Sequence, residues 1–301
     1  MESFNILFLL ITIIGIGHSL ALTTISPKLY WESMLPTTPL PKAILALLQP
    51  DFFFSPKSHN GSPSLYIEEN AGQKYAYVDH PHSQNSNVSS IFFLDNMLSI
   101  GSTYNLYFLN ISSKNSPFLV RVAANKYPFS SNKLLDILAR FSIKPNTDEA
   151  KLIENTIMDC EVPPIKGEER YCATSLESMV DVVIMKMGKE VKVMSATVED
   201  GMNPTYSQVS TVVEKSKVNN LLCHKETYPY AVFYCHSNRG TRVYEVGFID
   251  KDGKRANVLA VCHNDTSGWD PKHFAFKYLK VKPGGATICH FLPPYDLAFF
   301  V

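Results

Sequence analysis

The 301-residue sequence lacks an excess of charge of either sign, since 28 Lys plus Arg balance 28 Asp plus Glu. No basic stripe with interleaved aromatics runs through it, so the footprint that tracks phosphates is missing and nucleic acid is not an expected partner. No apolar run reaches the roughly 20 residues of a comfortable membrane span. Tandem repeats are absent, and tryptophan is confined to Trp31 and Trp269. Cysteine is sparse but even in number, with six residues in the chain.

What is present begins at the N-terminus. The apolar run "ILFLLITIIGIG" (Ile6 to Gly17) precedes the small-residue site Ser19-Leu20-Ala21. This pattern predicts a secretory signal peptide over residues 1–21, removed after Ala21. Entry into an oxidising compartment in turn predicts disulfides rather than free thiols. Four sequons, at Asn60, Asn87, Asn110 and Asn264, are candidate glycosylation sites of such a chain.

Composition divides the remainder. Residues 22–54 hold the amphipathic segment "YWESMLPTTPLPKAILALL", read as an appended arm with a short helix from Lys42 to Leu48. Residues 55–90 are rich in Ser, Asn, Gly, His and Pro and read as a polar linker, with His80 and His82 in a solvated loop. Residues 91–301 read as the globular domain, and 45% hydrophobic content in the chain suffices for a sizeable core.

Within that domain "IFFLDNML" and "TYNLYFL" read as strands around a turn. "NKLLDILARF" predicts a helix burying Leu134, Leu135, Leu138 and Phe141, and "NTDEAKLIENTIM" a second one capped near Asn146 and Thr147. A third helix, "SMVDVVIMKM", is expected behind a Thr174/Glu177 capping box and before Gly188. Strands dominate afterwards: "EVKVMSAT", then "RVYEVGFID" and "RANVLAVCH" about an Asp252-Gly253 hairpin, then "HFAFKYLKV" and "ATICHFL". Helices in the middle and strands at the end predict an α+β fold with a mostly antiparallel sheet.

The dipeptide Cys-His occurs four times, at 223–224, 235–236, 262–263 and 289–290. Chance would supply roughly 0.2 such dipeptides. Three of the four fall in runs read as strands, "YAVFYCH", "NVLAVCH" and "ATICHFL", where successive side chains point to opposite faces, so the sulfur and imidazole of one pair cannot easily serve a single centre. Sulfurs on one face would form disulfides, in any of three pairings, while imidazoles on the other could converge on a metal or an open cleft. Spacings of 10, 25 and 25 residues between pairs do not suit structural zinc with mixed thiolate and imidazole ligands. Four imidazoles without thiolate suit copper(II), or less specifically nickel or zinc. His273 reads as a hydrogen-bonding histidine at a strand start, and Tyr228 and Tyr230 as core.

The spacing CH-x10-CH-x25-CH-x25-CH, with "FFLDNMLSIG", "CEVPPIKGEERYCATSLESMVD" and "VCHNDTSGWDPKHFAFKYLKVKPGGATICHFLPP", closely resembles the signature of plant BURP-domain proteins. The resemblance covers residues 91–301. The arm resembles that of short members without repeats, the unknown-seed-protein-like group. It implies a secreted plant protein of the cell wall, apoplast or storage vacuole, linked to seed or reproductive development or stress. It implies His224, His236, His263 and His290 as copper ligands, disulfides among Cys223, Cys235, Cys262 and Cys289, and Cys160 paired with Cys172. Some members of the family are copper-dependent peptide cyclases that crosslink a Tyr or Trp side chain of a core peptide. No recognisable core stands in this chain, although the linker offers Tyr66, Tyr75 and Tyr77. The expected partners are therefore cell-wall components or a Tyr- or Trp-containing peptide.

Overall fold

A computed structural model describes residues 25–48, 92–106, 116–203 and 206–301. Among them the chain forms two antiparallel sheets with helices packed around them, an α+β architecture.

The N-terminal segment folds as α1 (Pro27–Met34) and α2 (Lys42–Leu45). Ser26 caps α1 by accepting from Leu29 N–H, and Pro27 suits the first turn because its missing N–H would be unpaired there. This segment is built into the core, since Trp31, Leu35, Ile44 and Leu47 are all buried. The Trp31 indole N–H donates to Thr38 O, and Thr38 Oγ1 donates to Val191 O at 2.6 Å.

After β1 (Phe92–Leu94) and β2 (Thr103–Tyr104) come α3 (Arg121–Ala124), α4 (Leu134–Arg140) and α5 (Asp148–Glu161). Thr147 caps α5, as its sequence suggests. Leu134, Leu138 and Phe141 of the expected face of α4 pack inward, but Leu135 is 70% exposed and Ile137 is fully buried in its stead. The cluster that α4 and α5 form with Tyr228, Tyr230 and Val232 fixes that rotation.

The strand β3 (Glu168–Ala173) leads into α6 (Leu176–Met187). The capping box lies one residue later than the sequence suggests, with Ser175 and Ser178 bonding reciprocally. The Glu177 carboxylate instead accepts from Arg121 N–H at 3.0 Å. Gly188 ends the helix at φ 80°, a region that penalises a Cβ.

The remaining strands are β4 (Lys192–Met194), β5 (Thr197–Val198), β6 (Ser207–Ser216), β7 (Asn220–Lys225), β8 (Phe233–Asn238), β9 (Thr241–Ile249), β10 (Arg255–His263), β11 (Ile288–Phe291) and β12 (Leu297–Phe300). One sheet runs β3-β8-β7-β12-β4; the other runs β1-β11-β10-β9-β6-β2, with β5 beside β10. The expected Asp252-Gly253 turn joins β9 to β10, and the Asp250 carboxylate accepts from the N–H groups of Asp252 and Lys254.

The segment "HFAFKYLKV" is a correction, because it forms α7 (Phe274–Leu279) rather than a strand. His273 caps it through Nδ1, which accepts from Ala275 N–H, while Ala275 and Phe276 bury against Phe92 and Ile288. Helical packing and a side-chain cap thus override the period-two pattern.

Three layers of apolar side chains result. Leu221, Phe233 and Phe299 face α1 and α6, while Phe93, Phe248 and Phe291 line the outer side of the larger sheet. Leu222 and Ala298 of one sheet meet Val243, Leu259 and Val261 of the other in the seam between them.

Candidate metal centre

Every Cys-His dipeptide lies on a strand, in β7, β8, β10 and β11. Cys223 is the register partner of Cys235, and Cys262 that of Cys289. Both facing pairs are bonded, with Cα atoms 3.9 and 4.0 Å apart. Close pairs of an antiparallel ladder bring opposed side chains near enough for this, so register decides among the three possible connectivities. Cys160 at the end of α5 is bonded to Cys172 of β3, which leaves no free cysteine.

Each histidine, one residue further on, turns to the opposite face. None faces another histidine in register: His224 stands opposite Tyr234 and His236 opposite Leu222. His263 stands opposite Ile288 and His290 opposite Val261. The imidazoles therefore meet on the diagonal, with Nε2 atoms 3.0 Å apart for His224 and His236 and 3.3 Å apart for His263 and His290.

The two diagonal pairs face each other from the two sheets. Ring centroids follow a closed cycle: 5.1 Å from His224 to His236, 6.1 Å to His263, 5.4 Å to His290 and 6.1 Å back to His224. All four rings are buried, at most 9% exposed, so the imidazole face is closed to solvent rather than an open cleft. Among the described residues no three ligating groups close around one metal point, and the contacts remain two pairs. Within a pair the spacing does fit, because two nitrogens bound at about 2.0 Å to one ion lie about 2.8–3.3 Å apart.

Three of the four outer ring nitrogens face residues of other segments, and that of His290 faces its own strand. His224 Nδ1 lies 2.7 Å from Asp296 Oδ2, and the other oxygen of Asp296 accepts from Lys225 N–H. His236 Nδ1 lies 3.3 Å from Glu168 Oε1, an ion-pair distance without hydrogen-bond alignment. Glu168 also receives Arg170 Nη2 at 2.7 Å and Nε at 3.2 Å. Burial pushes its carboxyl up, but His236 and Arg170 outweigh this and hold it at about 2. Thr241 Oγ1 is 3.2 Å from His263 Nδ1, and Phe291 O is 3.5 Å from His290 Nδ1.

Burial lowers the pKa of His236 against the opposing pull of Glu168. Burial also brings His263 to about 3, assisted by His236 and His224, and takes His290 well below its ordinary value. These three imidazoles are neutral near pH 7, the form in which a histidine ligates. A donor set of neutral imidazoles, with every sulfur in a disulfide, suits copper(II), nickel or zinc.

His273 caps α7 and meets Trp269 in a tilted contact at 4.8 Å, and the Trp269 indole lies 5.2 Å from the His263 ring. Tyr228 and Tyr230 are buried in the α4–α5 cluster. Asn264 is exposed beside His263, whereas Asn60, Asn87, Asn110, His80, His82 and the linker tyrosines lie outside the described residues. Sequence reading missed Glu168, Thr241, Trp269 and Asp296 as neighbours of the rings. For Asp296 there was a signal, a lone carboxylate inside the apolar stretch "FLPPYDLAFF".

Two sheets, each stapled across adjacent strands and each turning a histidine pair into the space between them, define a disulfide-stapled domain with a duplicated Cys-His centre. The chain belongs to the plant BURP-domain family, whose domain model matches residues 91–301. It is 38% identical over 276 residues to BURP domain-containing protein 5 of Oryza sativa subsp. japonica, covering 89% of this chain and 85% of that protein. It is 37% identical over 252 residues to BURP domain protein USPL1 of Arabidopsis thaliana, covering 79% and 89%. With BURP domain protein RD22 of Arabidopsis thaliana it shares 42% identity over 218 residues, 70% of this chain and 56% of that protein.

Proposed function

We propose that this protein passes through the secretory pathway to the cell wall, apoplast or storage vacuole and binds copper between its two sheets. His224, His236, His263 and His290 are the ligands in this reading. The observation that carries it is the cycle of four buried imidazoles whose Nε2 atoms meet in pairs, with His224 Nδ1 bonded to Asp296 and His263 Nδ1 to Thr241 behind them. Two unprotonated Nε2 atoms 3.0 Å apart repel unless a proton or a cation lies between them. Three disulfides support the oxidising compartment. A role in seed or reproductive development or in stress follows the family and belongs to the same reading.

Bound copper would supply one-electron oxidation at a nitrogen-ligated centre. The chain's own residues hold the rings, bury them away from water and keep His236, His263 and His290 neutral. A second reading, copper-dependent crosslinking of a Tyr- or Trp-containing peptide, is favoured by one observation: Trp269 places a half-buried indole 5.2 Å from the His263 ring, where an aromatic group already finds room.

The test is titration of the purified mature protein with copper(II) by calorimetry, alongside His236→Ala. One tight site in the parent, weakened at least tenfold in the variant, is expected; unchanged affinity would remove this histidine from the site. Intact mass after incubation with copper(II) in air separates the readings. Loss of one hydrogen pair that survives disulfide reduction, with dioxygen taking the electrons, marks crosslinking.

A further inference from the structure

The two disulfides that join neighbouring strands are buried by different parts of the chain. Cys262 and Cys289 lie in the cluster of Phe93, Phe248 and Phe291, and among the described residues none from 25–48 belongs to it. Cys223 and Cys235 lie in the other cluster, to which Trp31, Leu35, Ala43, Ile44 and Leu47 all contribute. The family's domain model begins only at residue 91. A segment outside it therefore completes the cover over one staple and not over the other.

The path from that segment to the sulfurs runs through named contacts. Trp31 lies 6.1 Å from Phe299, two residues along β12 from Leu297, and Leu297 is the register partner of Cys223. Leu47 O accepts from Phe118 N–H at 2.9 Å, and the Phe118 ring stacks on Phe233 at 5.5 Å. Phe233 precedes Cys235 by two residues on β8, so their side chains share a face of the sheet. The segment is also fastened at its rim, where Tyr30 OH donates to Asp181 of α6 and Thr38 Oγ1 to Val191 O.

From this we infer that residues 25–48 seal the sulfur face of the smaller sheet and shield the Cys223–Cys235 bond from thiol exchange, while Cys262–Cys289 is shielded by the domain alone. Exchange requires a thiolate to reach a disulfide sulfur, so a buried bond reacts at a rate set by how often its cover opens. Lifting the segment uncovers one sulfur pair, whereas unfolding of the whole domain uncovers both. The inference concerns the face opposite the imidazoles and holds whether or not they bind a metal. It sets an order of loss: with the segment loosened, a thiol reductant releases the β7–β8 register before the β10–β11 register.

The experiment uses the full mature protein without added metal, together with Trp31→Ala and Thr38→Val. Each is incubated with dithiothreitol, and the thiols that appear with time are alkylated and assigned by peptide mass mapping. In each event dithiothreitol gives two hydrogens to the two cysteine sulfurs and closes to its own cyclic disulfide. In Trp31→Ala the Cys223–Cys235 bond should be reduced about tenfold faster or more, with Cys262–Cys289 within about threefold of the parent rate. Thr38→Val removes one buried bond of the segment and should act in the same direction by a smaller factor. Equal acceleration of both bonds in Trp31→Ala, as global unfolding would give, or no acceleration of Cys223–Cys235, overturns the inference. If Trp31→Ala does not fold, the ratio of the two rates in Thr38→Val decides. A ratio raised in favour of Cys223–Cys235 upholds the shield, and a ratio equal to the parent's overturns it.

Discussion

His224 and His236 bring their Nε2 atoms within 3.0 Å although neither is the other's partner in the β7–β8 ladder. The register partners are Cys223 and Cys235, whose disulfide lies on the opposite face. The sulfur bond pins the register, and a slip of one residue would send both imidazoles to the wrong side of the sheet. The same relation recurs between β10 and β11, so each disulfide acts as the alignment device for one histidine pair.

Peptide mapping without reduction should recover 160–172, 223–235 and 262–289 as the linked cysteines. Cys235→Ser should lower stability by about 2–5 kcal/mol in chemical denaturation and weaken copper uptake as well. A variant equally stable but unable to bind metal would separate the two roles of the bond.

Copper(II) binding should quench the fluorescence of Trp269, whose indole lies 5.2 Å from the His263 ring. Trp31, packed 6.1 Å from Phe299 on the far side of the smaller sheet, should contribute little to the change. Trp269→Phe is expected to abolish most of the quenching while leaving the calorimetric affinity within about threefold, since no ligand nitrogen is lost. Persistent quenching in that variant would place the metal elsewhere.

Trp31→Ala should destabilise the protein by about 3–5 kcal/mol, as expected for a fully buried aromatic. The cost arises because this ring joins α1 to the cluster under α6 and β12. An effect under 1 kcal/mol in urea unfolding would mean that the N-terminal segment is only loosely seated.

In the copper-binding reading His290→Ala should weaken copper binding, as His236→Ala does, because each removes one of the four buried imidazoles. Parallel titrations at one pH and ionic strength check this, and unchanged affinity would remove His290 from the site.

Much of the centre was legible along the chain because strand geometry is local. A period of two suffices to place sulfur and imidazole on opposite faces in the three dipeptides read on strands, at 235–236, 262–263 and 289–290, whereas the strand that carries Cys223 and His224 emerged only with the structure. The burial of Tyr228 and Tyr230, the α5 cap at Thr147 and the Asp252-Gly253 turn were readable for similar local reasons. The helix at Phe274–Leu279 was not, because its alternating pattern fits a strand as well. A cap from His273 and packing against Phe92 decide that conformation.

The sequence by itself determined an even set of cysteines, four sulfur–imidazole pairs of which three lie on strands, and the separation of sulfur from imidazole by the pleat. Only the tertiary structure decided which cysteines face one another, that two sheets present their histidines to one buried chamber, and that Asp296 and Glu168 stand behind one pair. The physical reason is range. Side-chain alternation is set by neighbouring dihedrals, whereas ladder register and sheet packing depend on contacts such as His224 with Asp296, 72 residues apart in the chain.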